Sequence, residues 1–295
     1  MEQVWIASLS GSSVDCSLNL NRIGRDGRLM LRFARRGSRT DLVRSSFTLP
    51  LQVLAPLAME DGSSYVSLLN PTGGILGGDR LTTEIVLEPG AHACLTTPSA
   101  TRVYRTDDLP AIQETVVRVG EGATLEFFPD HLIPHPGSAL HQSLRLEMAA
   151  GSRVFYWEAM ACGRVARDEC WEFREVVSHV EARIGDKPVW LSRTRMVPDA
   201  LSPERLGVTE AYAYNGSLAV FADGFTQWPQ WMEAMRRILE DFPDIHGGIS
   251  MLAGDGGLVR LLAESAIDLN QICTLLWTAS RAVVLNLPAY ESRKY

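Results

Sequence analysis

A unit of strand, Gly-small turn and strand recurs three times in the first half of this chain. Thr82–Leu87 leads through Gly90-Ala91 into His92–Thr97, and Glu114–Val119 leads through Gly122-Ala123 into Thr124–Phe128. Gln142–Met148 leads through Gly151-Ser152 into Arg153–Trp157. The spacing is roughly 30 residues, a length at which repeated supersecondary units stack. A unit this small cannot bury its apolar faces alone, so each must be covered by its neighbours. The expected fold is therefore mainly β, a large stacked, solenoid-like structure. Gly-small turns also occur in β-sandwiches, which is the alternative. Further segments rich in Val, Thr, Leu and aromatics, at 28–33, 64–69, 171–184, 188–196 and 208–222, extend the β pattern.

Helix enters late. Gln230–Phe242 places Trp231, Met235, Ile238, Leu239 and Phe242 on one stripe, and Pro243 ends it. A second apolar-periodic stretch, Asp268–Leu285, carries Leu269, Ile272, Leu275, Leu276 and Val283. Between the two, Gly247-Gly248 and Gly254-Asp-Gly-Gly257 mark turns around a short strand, Ile249–Leu252. No linker divides the chain. The expected organisation is an N-terminal arm, 1–19, and one domain, 20–295, with a β core to 225 and a helix-containing part from 226.

Charge and cysteine usage narrow the function classes. With 28 Lys and Arg against 35 Asp and Glu, the formal charge is −7, which argues against nucleic-acid binding. The cysteines Cys16, Cys94, Cys162, Cys170 and Cys273 are odd in number and scattered, with no Cys-x-x-Cys pair. That pattern suits a reducing, cytoplasmic setting better than a disulfide framework. Arg281 interrupts the best apolar run, so none approaches the ~20 residues of a membrane span.

The densest motif is Asn70-Pro-Thr-Gly-Gly-Ile-Leu-Gly-Gly-Asp-Arg-Leu81. Gly73-Gly74 and Gly77-Gly78 imply a tightly folded loop that presents Asp79. A Walker loop needs Lys-Ser/Thr after its last glycine, and here Asp79-Arg80 follows, so nucleotide binding is not expected. His131-Leu-Ile-Pro-His135 has zinc-helix spacing, but Pro134 would break that helix and Glu does not follow His131. Asp79, Asp130, Glu158, Asp168 and Glu169 are candidate paired carboxylates for an enzyme acting on a polymer. Their irregular spacing does not suit a repeating substrate groove.

Taken in combination, several of these segments resemble the UreD (UreH) family of urease accessory proteins. They are Asn70–Leu81, the run Thr96-Thr-Pro-Ser-Ala-Thr-Arg-Val-Tyr-Arg105, and Leu125-Glu-Phe-Phe-Pro-Asp-His-Leu-Ile-Pro134. Glu158-Ala-Met-Ala-Cys-Gly-Arg164 with Glu169, Trp277–Arg281 and the closing Arg293-Lys-Tyr295 complete the set. The resemblance covers roughly residues 20–295. It implies a right-handed, β-helix-like stack with a few helices and a non-enzymatic role in urease maturation. The implied partners are the urease apoprotein, UreF, and UreG through UreF. The implied cargo is nickel(II), in transit along an internal channel and without a tightly bound cofactor.

Candidate channel residues under that resemblance are Asp79, Glu169, Asp130, His131, Thr96 and Thr97, since Ni²⁺ accepts carboxylate oxygen and imidazole nitrogen. Asp79 has an equal alternative as a turn-stabilising acid, and the threonines as cross-strand packing. Gly73, Gly74, Gly77, Gly78, Tyr104 and Arg164 are expected to be structural. The chain departs from the family pattern at Arg102, often Lys, and at Asp168, where Gly usually precedes the glutamate. Residues 1–19 have no clear family counterpart.

Overall fold

The computed structural model describes residues 25–290 except 211 and 253. The expected N-terminal arm and the closing Arg293-Lys-Tyr295 therefore lie outside the described residues. Strands are numbered in chain order. The first are β1 (Asp26–Arg36), β2 (Arg39–Thr48), β3 (Gln52–Val53), β4 (Leu57–Ala58), β5 (Ser64–Leu69) and β6 (Arg80–Leu87). There follow β7 (His92–Thr96), β8 (Thr101–Val103), β9 (Ala111–Val119), β10 (Thr124–Phe128), β11 (Leu132–Pro134) and β12 (Ala139–Met148). The last are β13 (Arg153–Ala161), β14 (Glu175–Ile184), β15 (Lys187–Met196), β16 (Tyr214–Ala222), β17 (His246–Leu252) and β18 (Gly256–Ala263).

These strands build a β-solenoid of about four turns. One wall runs β15-β14-β12-β9-β6-β1-β2, and the other runs β17-β18-β16-β13-β10-β7-β5-β3. Strands β1, β6, β9, β12 and β14 are parallel in the first wall, as are β5, β7, β10 and β13 in the second. Each of the three repeats contributes one strand to each wall. Gly90, Gly122 and Gly151 turn the corner with φ of 68°, 60° and 66°, where a Cβ is disfavoured. Successive corners are bonded to each other: Gly90 N–H donates to Glu121 O at 2.9 Å, and Gly122 N–H to Ala150 O at 3.1 Å. The small residues that follow, Ala91, Ala123 and Ser152, are buried between the coils.

The alternation along each strand sends one set of side chains into the space between the walls. Leu31, Phe33, Ile85, Leu95, Val117, Leu125, Leu146 and Val154 form that core. Each such buried aliphatic or aromatic side chain contributes about 1.5–3 kcal/mol relative to exposure. A second core lies on the outer face of the second wall. There α1 (Trp228–Glu240) and α2 (Ala266–Ser280) bury Trp231, Met235, Leu269, Ile272 and Leu276 against Phe155, Leu218, Val220 and Val259. Among the described residues no helix is long and apolar enough to cross a membrane.

The helices start earlier than the apolar stripes suggest, because a proline in one case and a capping serine in the other set the first turn. Pro229 occupies the first turn of α1. Ser265 caps α2, its Oγ accepting from Asp268 N–H at 3.1 Å. The second stretch does not continue as one α-helix: α2 ends at Ser280 and a wider π-type turn spans Arg281–Leu285. Strand 171–184 begins only at Glu175, since Trp171 takes a left-handed φ of 59°. Gly256 and Gly257, expected in a turn, open β18, and the Trp231 ring packs where a side chain at 257 would lie.

Candidate functional site

The glycine block folds as the motif suggests, and its four glycines divide two tasks. Gly73 and Gly78 take φ of 80° and 81°, which turns the chain. A Cβ on Gly74 would come within 2.5 Å of the Tyr104 ring, and one on Gly77 within 2.3 Å of Thr106 Cβ. Between them Ile75 is buried and bonds to the strand that follows: its N–H donates to Arg102 O at 2.8 Å and its carbonyl accepts from Tyr104 N–H at 2.9 Å. Asp79 closes the loop, with Oδ2 accepting from Leu76 N–H at 2.8 Å. Desolvation raises its carboxyl above the ordinary value against that hydrogen bond. Asp79 is 3% exposed, and among the described residues Oδ1 has no hydrogen-bond partner.

The block lines one end of a cavity of about 240 Å³ between the two walls. Gly73, Gly74, Ile75 and Leu81 contribute to it, whereas Asp79 does not. One row of the inner face is polar: Gln113 on β9 sits beside Gln142 on β12, which sits beside Ser178 on β14. Gln142 Nε2 donates to Ser178 Oγ at 3.1 Å. Thr83 and Thr115, paired in the neighbouring row, also face the cavity. The opposite wall supplies Tyr156 and Glu158, with Tyr156 OH donating to Glu158 Oε2 at 3.1 Å. Ser217 Oγ donates to Glu158 Oε1 at 3.2 Å. Desolvation holds the Glu158 carboxyl above its usual value, outweighing those two donors and Arg260.

A second space, a cleft of about 520 Å³, opens between α2 and the second wall. Phe128, Trp157 and Trp277 line it together with Thr96, His131, Asn270 and Cys273. Pro129 and Asp130 line both spaces. The Asp130 carboxylate accepts from His131, at 2.8 Å from the backbone N–H and 2.9 Å from Nδ1. Its own N–H donates to Thr97 Oγ1 at 2.8 Å. Thr96 Oγ1 donates to Phe128 O at 2.8 Å, tying β7 to β10.

Of the six candidate channel residues, Asp130, His131, Thr96 and Thr97 thus converge where cavity and cleft meet. Glu169 lines neither space: Arg164 grips it with two hydrogen bonds, one from Nη2 to Oε1 at 2.6 Å. That grip holds its carboxyl below the ordinary value. Tyr104 and Arg164 are half-buried, and Tyr104 OH donates to Gly73 O at 3.4 Å. His135 is separated from His131 by β11 and packs edge-on to Tyr104 with ring centroids 5.0 Å apart. Among the described residues no group of three or more His, Cys, Asp and Glu is placed to hold a metal ion.

Sequence reasoning missed the polar row, although a signal exists. Leu81, Gln113 and Gln142 each stand nine residues before a corner glycine. It also missed a buried ion cluster behind the cleft. Arg281, fully buried, donates to Glu126 and to Asp61, and Glu126 also accepts from Trp277 Nε1 and bonds His92 Nε2 at 2.6 Å.

The architecture defines a β-solenoid protein with a set of polar side chains facing the space between its walls. Within that class, the chain belongs to the UreD urease accessory protein family, whose model matches residues 25–295. It is 32% identical over 292 residues to the urease accessory protein UreD of Delftia acidovorans, covering 92% of this chain and 94% of that one. To the UreD of Cupriavidus necator it is 31% identical over 270 residues, covering 90% and 92%. The UreD of Haloarcula marismortui is 28% identical over 274 residues, covering 92% and 91%.

Proposed function

We propose that this chain is a cytoplasmic, non-enzymatic urease maturation factor. It binds the urease apoprotein and UreF, engages UreG through UreF, and passes nickel(II) through its interior toward the urease active site. The observation that carries this reading is the junction at Asp130, which lines both the open cleft and the cavity between the walls. Beyond it the route continues past Glu158 and the row Gln113, Gln142 and Ser178. Carboxylate, amide and hydroxyl oxygens suit a hard-to-borderline cation held weakly and released, whereas a closed thiolate or imidazole cage would trap it. Asp79 and Glu169 act in this scheme as local braces, one closing the glycine loop and the other fixing Arg164.

The test is co-expression of urease with its accessory proteins and either wild-type chain, Asp130→Ala or Glu158→Gln. Affinity capture reads complex formation, and nickel content of purified urease reads delivery. The expected outcome is capture retained with nickel loading lost. Nickel loading at wild-type level in both variants would refute passage through the interior and leave a scaffold that only assembles partners.

A further inference from the structure

Two of the scattered cysteines meet in the folded chain. Cys162 ends just beyond β13 and is buried, while Cys170, eight residues on, is exposed. The intervening loop is pinched at its neck: Trp171 N–H donates to Cys162 O at 2.8 Å, and Cys162 N–H to Ala213 O at 2.7 Å. Asp168, with a left-handed φ of 57°, brings the chain back, and Glu169 O lies so near Gly163 that a Cβ there would come within 2.2 Å of it. The Trp171 N–H bond to Cys162 O places Cys170, the residue before Trp171, beside Cys162 across the neck. A disulfide requires close Cα atoms, and a neck held by these backbone bonds keeps the two positions near each other without unfolding the loop.

We infer that Cys162 and Cys170 form a redox-active dithiol, a site of reversible disulfide formation with low-molecular-weight disulfides of the oxidised-glutathione class as oxidant. Exposure makes Cys170 the first nucleophile. Cys162, buried behind it, reacts second, and burial and then the neighbouring Cys170 push its thiol up. The Cys170 thiolate attacks one sulfur of the oxidant, whose S–S bond breaks and releases one glutathione thiolate. Cys162 then gives its proton to solvent and attacks the Cys170 sulfur, expelling the second glutathione. Two electrons pass from the cysteine pair to the oxidant, and an excess of small thiol reverses both steps. Such pairs in reducing compartments are usually transient and regulatory. The bond would close the loop that carries the Arg164–Glu169 ion pair. Cys94, on β7, and Cys273, on α2, line the cleft.

The test uses the full chain with Cys16→Ser, which removes the cysteine outside the described residues. The protein is incubated with oxidised glutathione, its remaining thiols are alkylated, and intact mass and peptide maps are recorded. The expected product carries two alkyl groups, on Cys94 and Cys273, and is otherwise lighter by two hydrogens, with a Cys162–Cys170 cross-linked peptide that dithiothreitol releases. Adding Cys162→Ser should instead trap one glutathione on Cys170. A stable glutathione adduct in the protein that retains Cys162, alkylation of both Cys162 and Cys170, or a different cysteine pairing would each overturn the inference. These three readouts do not depend on the folding of the Cys162→Ser variant.

Discussion

Replacing Arg281 by Met tests what holds the helical part onto the solenoid. The guanidinium is fully buried and donates to Glu126, to Asp61, and through Nε to Pro288 O at 3.1 Å. It also lies 5.4 Å from the centre of the Trp277 ring and 4.8 Å from that of Tyr290. Met keeps most of the stem volume and removes the charge, leaving Glu126 at 0% exposure with His92 and Trp277 as partners. Losing one member of a buried ion pair costs about 3–5 kcal/mol, most of it from the charge left behind. Urea unfolding followed by tryptophan fluorescence near neutral pH should show that loss. Glu126→Gln added to Arg281→Met should recover part of it, with a coupling energy of about 1–3 kcal/mol. The pH dependence follows from Glu126. Burial pushes its carboxyl up, but the bond and charge of His92 and then Arg281 outweigh this and leave it below 4.5. A depressed folded pKa gives stability that is present above the unfolded value and disappears as pH falls through the folded one. The gap between wild type and variant should therefore narrow on acidification. A loss under about 1 kcal/mol, or strict additivity in the cycle, would refute the assignment of this cluster as a clamp.

Glu158 gives the opposite sign. Its folded pKa is raised, so its contribution is present below the unfolded value and lost as pH rises through the folded one. Glu158→Gln should melt above wild type at mildly alkaline pH, with the gap closing below pH ~4.5; a variant that melts lower at alkaline pH contradicts the sign. At the corner of the second repeat, Gly122 has φ of 60° and open space around its Cβ position. Gly122→Ala should cost about 1–2 kcal/mol from backbone strain alone, and Gly122→Asn less; equal losses in urea titrations count against that account. Gly74 has the reverse problem, an ordinary φ and no room, so Gly74→Ala should displace Tyr104 and Arg102. Near-ultraviolet circular dichroism reads that displacement, and an unchanged spectrum with wild-type stability excludes it.

The solenoid was legible because its determinants are local. Each coil announces its corner by Gly followed by a small residue, and each strand by alternation that the corner keeps in phase. The cluster around Arg281 was not, because its partners come from distant parts of the chain: Glu126 is 155 residues away and Asp61 is 220. In Thr124–Phe128 the alternation sends Leu125 and Phe127 into the core and Glu126 to the outer face. A charged residue on an outer face looks solvated, and only the packing of α2 over that face buries it. Pattern along a strand reports which face a residue occupies. It does not report what later covers that face.

The same limit explains why the conspicuous acids and the cavity acids differ. Asp79 and Glu169 stand out in sequence because glycines or an arginine surround them, and those neighbours are their partners: the Leu76 backbone for one, Arg164 for the other. Glu169 is held through both oxygens, whereas Asp79 is held through Oδ2 alone and lies away from the lining of either space. Glu158, Gln113, Gln142 and Ser178 sit inside regular strands, at positions where the repeat would otherwise place apolar side chains. Leu81, in the equivalent position of the first repeat, shows that apolar alternative. The row is only half-buried, and Gln142 and Ser178 satisfy part of their hydrogen-bonding capacity on each other. The row keeps two amides and a hydroxyl where the first repeat has leucine, and the carboxylate of Glu158 faces the same cavity from the opposite wall.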